Sequence, residues 1–178
     1  MATRACIAMP KGKGWVGVYC HWDGYPTGLG NILWTLMEHR YGFDVQRAHQ
    51  ELILGNLEGW SSLNCFHSEW GAEGSVTQWD GKTKLTVDQD RARLMNATDL
   101  AGYCAALPVS YQGDELRGDP VTEPPLTSAN VGKSWVEYVY VLREDCIDVW
   151  EMGKRLRRRG RWMYAHGMPA DAREQEAA

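Results

Sequence analysis

The sequence predicts an α+β fold: a single domain in which an antiparallel sheet, built from an N-terminal and a C-terminal hairpin, carries helices packed on one face. Three observations predict it. Short apolar runs separated by turn residues open the chain at 3–9 and 14–20, two stretches with helical spacing follow from Thr27 and Asp44, and an alternating pattern of apolar residues returns at 134–152. At 178 residues the chain is long enough for one self-standing core, and a composition of 44% hydrophobic and 24% charged residues is that of a globular protein. The expected organisation is a domain over 1–167 and a flexible C-terminal tail over 168–178, where small polar residues offer little to pack.

Taken in order, "TRACIAM" and "GWVGVYC" flank "PKGK", whose Pro10 and Gly12 favour a turn, so the chain opens with a hairpin. Alternation along its second strand puts Val16, Val18 and Cys20 on one face, read as the core face, and Trp15, Tyr19 and His21 on the other. Pro26 and Thr27 can start a helix over 27–40, with Leu29, Ile32, Leu33, Leu36 and Met37 at helical spacing and Gly42 as its stop. Asp44 is an N-cap candidate for a second helix, with Val45, Ala48, Leu52 and Ile53 on one side and Gly55 as terminator. The middle of the chain, from 58 to 90, reads as loop-rich with short strands, and 113–132 as an irregular surface connection. Near the C-terminus, Trp135, Glu137, Val139 and Val141 alternate with Val136, Tyr138, Tyr140 and Leu142, and "RED" joins this run to "CIDVWEM" as a second hairpin.

Composition narrows the function classes. Nine Trp and eight Tyr against two Phe supply aromatic bulk with polar tips, suited to half-buried surfaces and interfaces. No apolar run is long enough to span a bilayer and "MATRACIAMPKG" lacks the pattern of a secretory signal, so the expectation is a cytoplasmic protein with no membrane contact. Cys6, Cys20, Cys65, Cys104 and Cys146 are odd in number and contain no C-x-x-C, which points to reduced thiols rather than a disulfide framework or a zinc knuckle. The net charge of −4 conceals a local excess, because "KRLRRRGR" at 154–161 holds six basic residues in eight.

The stretch "YCHWDGYPTGLGN", 19–31, is the first candidate for a site. His21 can serve as acid, base or ligand near neutral pH, and Asp23 can share its face if the strand continues, which makes a minimal acid–base pair. Arg4 lies near the open end of the first hairpin, where a guanidinium could grip a carboxylate or phosphate. Gly28 and Gly30 would leave bare backbone at the helix start, suited to an anion. With Tyr19, Trp22 and Tyr25, these residues form a candidate ligand-binding set for an anionic, nucleotide-like molecule. Each residue also has an architectural use: Asp23-Gly24 is a turn dipeptide, Pro26 starts a helix, and Trp22 and Tyr25 can plug a corner.

Two further candidates remain. Arg155, Arg157, Arg158, Arg159 and Arg161, followed by Trp162, combine phosphate-gripping cations with a stacking ring, a composition suited to nucleic acid or an acidic partner protein, and equally to a solvated helix face. Cys65, His67 and Glu69 sit at alternate positions, but without a second half-site and with non-standard spacing they assign no metal.

The opening Thr3 and Arg4 of "MATRACIA", followed by Tyr19, His21, Trp22, Asp23, Gly24, Tyr25 and Pro26, resemble a family of small proteins encoded by bacteriophages and their bacterial hosts. That family opens with Met-Ala/Ser-Thr-Arg and carries Tyr-x-His-Trp-Asp-Gly-Tyr-Pro before a helix; "GWSS" at 59–62, "TVDQDR" and "EYVYVL" at 137–142 are similar to its later landmarks. The resemblance implies a phage or mobile-element setting, no mechanism and no named cofactor. The resulting expectation is a phage-type accessory protein that binds a host protein or an anionic small molecule and interferes with a host process. The alternatives are a small hydrolase with His21 as base and Asp23 orienting it, and a nucleic-acid binder using the 154–161 run.

Overall fold

The computed structural model describes residues 3–21, 24–55, 57, 59–63 and 125–172, together with strand segments at 67–68, 75–77, 84–86 and 109–110. The chain opens with the expected hairpin, β1 (Ala5–Lys11) and β2 (Gly14–Cys20), whose antiparallel register pairs Ala5 with Cys20 and Lys11 with Gly14. Gly12 takes φ +57°, the left-handed backbone that the connecting turn requires.

A helical stretch follows over 26–40, with α-helix α1 (Asn31–Thr35) between wider π turns at Pro26–Gly30 and Leu36–Arg40. It ends at Gly42 and Phe43, both at positive φ, and the Phe43 N–H closes back on the Met37 carbonyl at 2.7 Å. The second helix, α2 (Val45–His49) continued by a π turn over Gln50–Leu54, starts where the Asp44 carboxylate accepts the Arg47 N–H at 3.1 Å. That cap satisfies one of the donors a helix start leaves open.

Next come β3 (Trp60–Ser62), then β4 (His67–Ser68), β5 (Ser75–Thr77) and β6 (Lys84–Thr86), which pair antiparallel as a small second sheet, then β7 (Val109–Ser110) and β8 (Leu126–Thr127). Three strands finish the fold: β9 (Tyr138–Leu142), β10 (Cys146–Met152) and β11 (Leu156–Met163). The main sheet runs β11-β10-β9-β1-β2-β3-β7, and β8 joins β2 at Val16 and Gly17.

The sheet is mixed, and this corrects the expectation of an antiparallel one. Both hairpins are antiparallel, but β1 lies parallel to β9, Ala5 beside Tyr138 and Ala8 beside Val141, and β2 is parallel to β3. β1 is flanked by β2 on one side and β9 on the other, and Ala5, Cys6, Ile7 and Ala8 are each 0% exposed. A strand buried on both faces reads as a continuous apolar run, as "ACIA" does.

Alternation sorts the side chains as expected. Ala5, Ile7, Val18, Cys20, Tyr140, Leu142, Ile147, Val149 and Trp162 face Leu29, Leu33, Trp34 and Met37 of the first helical stretch and Ala48, Leu52 and Ile53 of the second, forming the larger core. The opposite face carries Cys6, Ala8, Trp15, Tyr19, Val139 and Val141, closed by Leu126, Val131 and Val136. Both faces of β2 are therefore buried, including the one that the sequence left open to a ligand.

Two more expectations are corrected. The basic run does not form a helix face: it is the turn and strand β11, antiparallel to β10. The segment after 167 packs through 172, since Ala172 is 0% exposed and its carbonyl accepts the Asn31 side-chain amide at 3.0 Å. The reason is local: Met168 and Ala172 are apolar enough to seat on the helix-side core beside Trp162.

Candidate functional site

At the open end of the first hairpin, β2 runs out at Cys20 and the His21 N–H donates to the Trp60 carbonyl at 2.9 Å, which carries strand pairing one residue further. His21 is 9% exposed, and its Nδ1 lies 2.9 Å from the Tyr19 hydroxyl with the two rings edge to face. The imidazole is thus held within the sheet's second face. Arg4 stands across from this pair, its guanidinium carbon 4.9 Å from the centre of the Trp135 ring, a cation–π stack on a Trp that is itself 53% exposed. Two candidate residues, Trp22 and Asp23, lie outside the described residues.

Backbone bonds fasten the corner that follows. The Gly24 N–H donates to the Thr3 carbonyl at 2.6 Å, and the buried Tyr140 hydroxyl donates to the Gly24 carbonyl at 2.8 Å. A Cβ at Gly24 would come within 3.0 Å of the Thr3 oxygen, the Arg4 carbonyl carbon and the Ala5 methyl, so only glycine admits this approach. Tyr25 is partly exposed, and its carbonyl accepts the N–H groups of Gly28 and Gly30 at 3.0 and 3.4 Å. Gly30 lies under the Trp162 ring, with a Cβ placed 2.6 Å from it, so this helix start is a packing contact and not the bare anion seat expected. The structure brings together Arg4, Tyr19 and His21 on one side of the sheet end. It turns Gly24, Gly28 and Gly30 to holding the strand, turn and helix together.

The basic run has a different character. β11 is the terminal strand of the main sheet, and its pairing with β10 shifts between Val149 and Trp150, leaving Arg159 as the extra residue of a bulge. Asp148, 1% exposed, faces Arg161 across the ladder; Arg161 Nε donates to Oδ1 at 2.7 Å and its terminal nitrogen to Oδ2 at 3.3 Å, while Arg143 Nε bonds Oδ2 from the other side. Burial pushes this carboxyl up, but the hydrogen bonds and charges of Arg161 and Arg143 outweigh it and hold it below the usual carboxylate range. Arg159 pairs with Glu151 at 3.2 Å and approaches Asp171 at 3.8 Å, and Asp171 also accepts the Trp162 indole N–H at 3.3 Å.

Arg159 and Arg161 are therefore structural. Arg155, Arg157 and Arg158 are exposed, and among the described residues neither they nor Lys154 form an ion pair. Trp162, proposed as a stacking ring, is 4% exposed and belongs to the helix-side core. The sequence signal for this arrangement was present and unread: Asp148 and Glu151 on β10 are spaced to meet Arg161 and Arg159 on a third antiparallel strand.

Among the other titratable groups, His49 is buried with Nε2 2.9 Å from the Leu142 carbonyl, an anchor of α2 to the end of β9. Burial lowers its pKa, partly offset by that bond. Cys6 and Cys146 are buried, and burial raises both thiols above the ordinary value, Cys146 to about 12, so they act as packing groups; Cys20 is buried in the helix-side core. Among the described residues no three His, Cys, Asp or Glu side chains are placed to hold a metal, and of the Cys65–His67–Glu69 trio Cys65 and Glu69 lie outside them. Among the described residues no helix is long and apolar enough to cross a membrane.

No family model, no curated protein and no solved structure matches the chain.

Proposed function

We propose that this is a phage-type accessory protein that acts by binding an anionic partner in the host, and that the working surface is the arginine edge of β11. The observation that carries this reading is the division of labour within one run of arginines: Arg159 and Arg161 are committed to Glu151, Asp171 and Asp148, while Arg155, Arg157 and Arg158 remain exposed with no ion pair among the described residues. These exposed cations leave positive charge along the terminal strand, which an acidic partner would neutralise. The buried setting of His21 and the packing use of Gly24 and Gly30 favour a fastened corner at 19–31 over a reaction centre.

The test is fluorescence anisotropy with a fluorescein-labelled glutamate oligomer, wild type against Arg155→Glu/Arg157→Glu/Arg158→Glu. Binding by the wild type that weakens with added salt, as exposed charge pairs do, and is lost in the folded triple variant supports the reading. Equal affinity of the two proteins overturns it.

A further inference from the structure

The edge of β11 has two properties that together define its occupant more narrowly than charge alone. As the last strand of the sheet it directs one row of N–H and C=O groups away from β10, a template for an added strand, and among the described residues no strand lies on that side. Its cations also stand on both faces of the sheet. Arg157 is opposite Glu151 and Arg158 opposite Trp150, so the two neighbouring guanidinium groups project to opposite sides, with Arg155 at the turn.

We propose that β11 receives an extended acidic segment of a partner protein as an added strand, with backbone hydrogen bonds along the open edge and successive acidic side chains meeting Arg157 on one face and Arg158 on the other. This rests on the anion-binding reading above and names its substrate class. β-strand addition draws affinity from main-chain bonds and specificity from alternate side chains, and here both are on offer in one place. A second copy of this chain does not fit, because pairing two β11 edges sets arginine against arginine. A nucleic-acid backbone fits less well, because phosphates follow cations arrayed on one surface, whereas these straddle the sheet.

The experiment compares three probes on the full chain by anisotropy: a blocked peptide Thr-Glu-Glu-Val-Glu-Glu-Thr, the peptide Pro-Glu-Glu-Pro-Glu-Glu-Pro of the same charge, and a single-stranded oligothymidylate. The proposal predicts that the first peptide binds about tenfold or more tighter than the second, since proline removes the donors and geometry of a strand. It also predicts slowed amide hydrogen exchange in β11 on addition of the first peptide. Equal affinity for the two peptides overturns strand addition and leaves the anion reading intact. Preference for the oligonucleotide overturns the acidic-peptide assignment, and no binding of any probe overturns both readings.

Discussion

The hydroxyl of Tyr19 sits 2.9 Å from Nδ1 of His21, two residues on along the same sheet face, with the imidazole 9% exposed. The residue with the most chemical promise in the sequence is thus tied down by its own strand. His21→Ala removes a buried hydrogen bond, and urea unfolding should show a loss of about 1 kcal/mol, or somewhat more for the packing lost. Binding to the acidic peptide should be unchanged in this variant.

Gly30 lets the helical stretch 26–40 sit directly on the sheet, with a Cβ position 2.6 Å from the Trp162 ring and 3.3 Å from Tyr140. Both rings are buried and neither can yield without disturbing the core. Gly30→Ala should therefore lower stability by about 1–3 kcal/mol, although alanine ordinarily favours a helix. A rise in the thermal midpoint would show that the helix stands further off the sheet than described.

Acid should act in two steps, set by two groups whose folded pKa values are depressed. His49 is lowered by burial, so below about pH 6.5 the unfolded chain takes up a proton that the folded one refuses. Its contribution is complete above that pH and declines as pH falls through it. For Asp148 burial raises the carboxyl, but Arg161 and Arg143 bring the net shift downward, so its contribution is complete above about pH 4 and is lost as pH falls further. Urea midpoints across pH 3–8 should fall in both windows. His49→Gln should flatten the upper one, and Asp148→Asn the lower one at a cost of about 2 kcal/mol near neutrality.

The C-terminal segment behaves as part of the core. Asn31 holds the Ala172 carbonyl, Asp171 accepts from Trp162, and Tyr164 packs its ring 4.8 Å from that of Phe43. Deleting residues from 168 onward should lower the thermal midpoint by several degrees, as losing about 1–2 kcal/mol does in a chain of this size. An unchanged midpoint would restore the view of 168–178 as a free tail.

Much of this fold was legible because its signals are local. The turn residues of "PKGK", the helical spacing from Leu29 to Met37, the Asp44 cap and the alternation of Val139 and Val141 each concern a few neighbouring residues, and each element stands where its pattern lies. The parallel pairing of β1 with β9 was not legible, because it joins Ala5 to Tyr138 across most of the chain and leaves no local mark beyond the apolar run itself. β11 was missed for a different reason: half of its eight residues are arginine and none is β-branched, so it lacks the pattern that announces a strand, and its pairing with β10 sets Arg161 opposite Asp148. At 19–31 the sequence showed reactive residue types and turn formers together, and only packing distances such as Gly30 to Trp162 distinguish their uses.

The edge cations have a second consequence that can be measured without a partner. Arg155→Ser/Arg157→Thr/Arg158→Thr keeps strand-compatible residues and removes the charges that keep a terminal strand from pairing with its copies. Sedimentation velocity should show concentration-dependent association of this variant, while the wild type remains a single species.

The central claim is that the working surface is the β11 edge and not the corner at 19–31, and a side-by-side titration of two variants with the labelled acidic peptide tests it most directly. Folded Arg157→Glu/Arg158→Glu should lose binding by about tenfold or more, while folded His21→Ala/Asp23→Ala should bind as the wild type does. The reverse pattern, retention by the arginine variant and loss by the His21 variant, would contradict the account and return "YCHWDGYPTGLGN" to the centre of the protein's function.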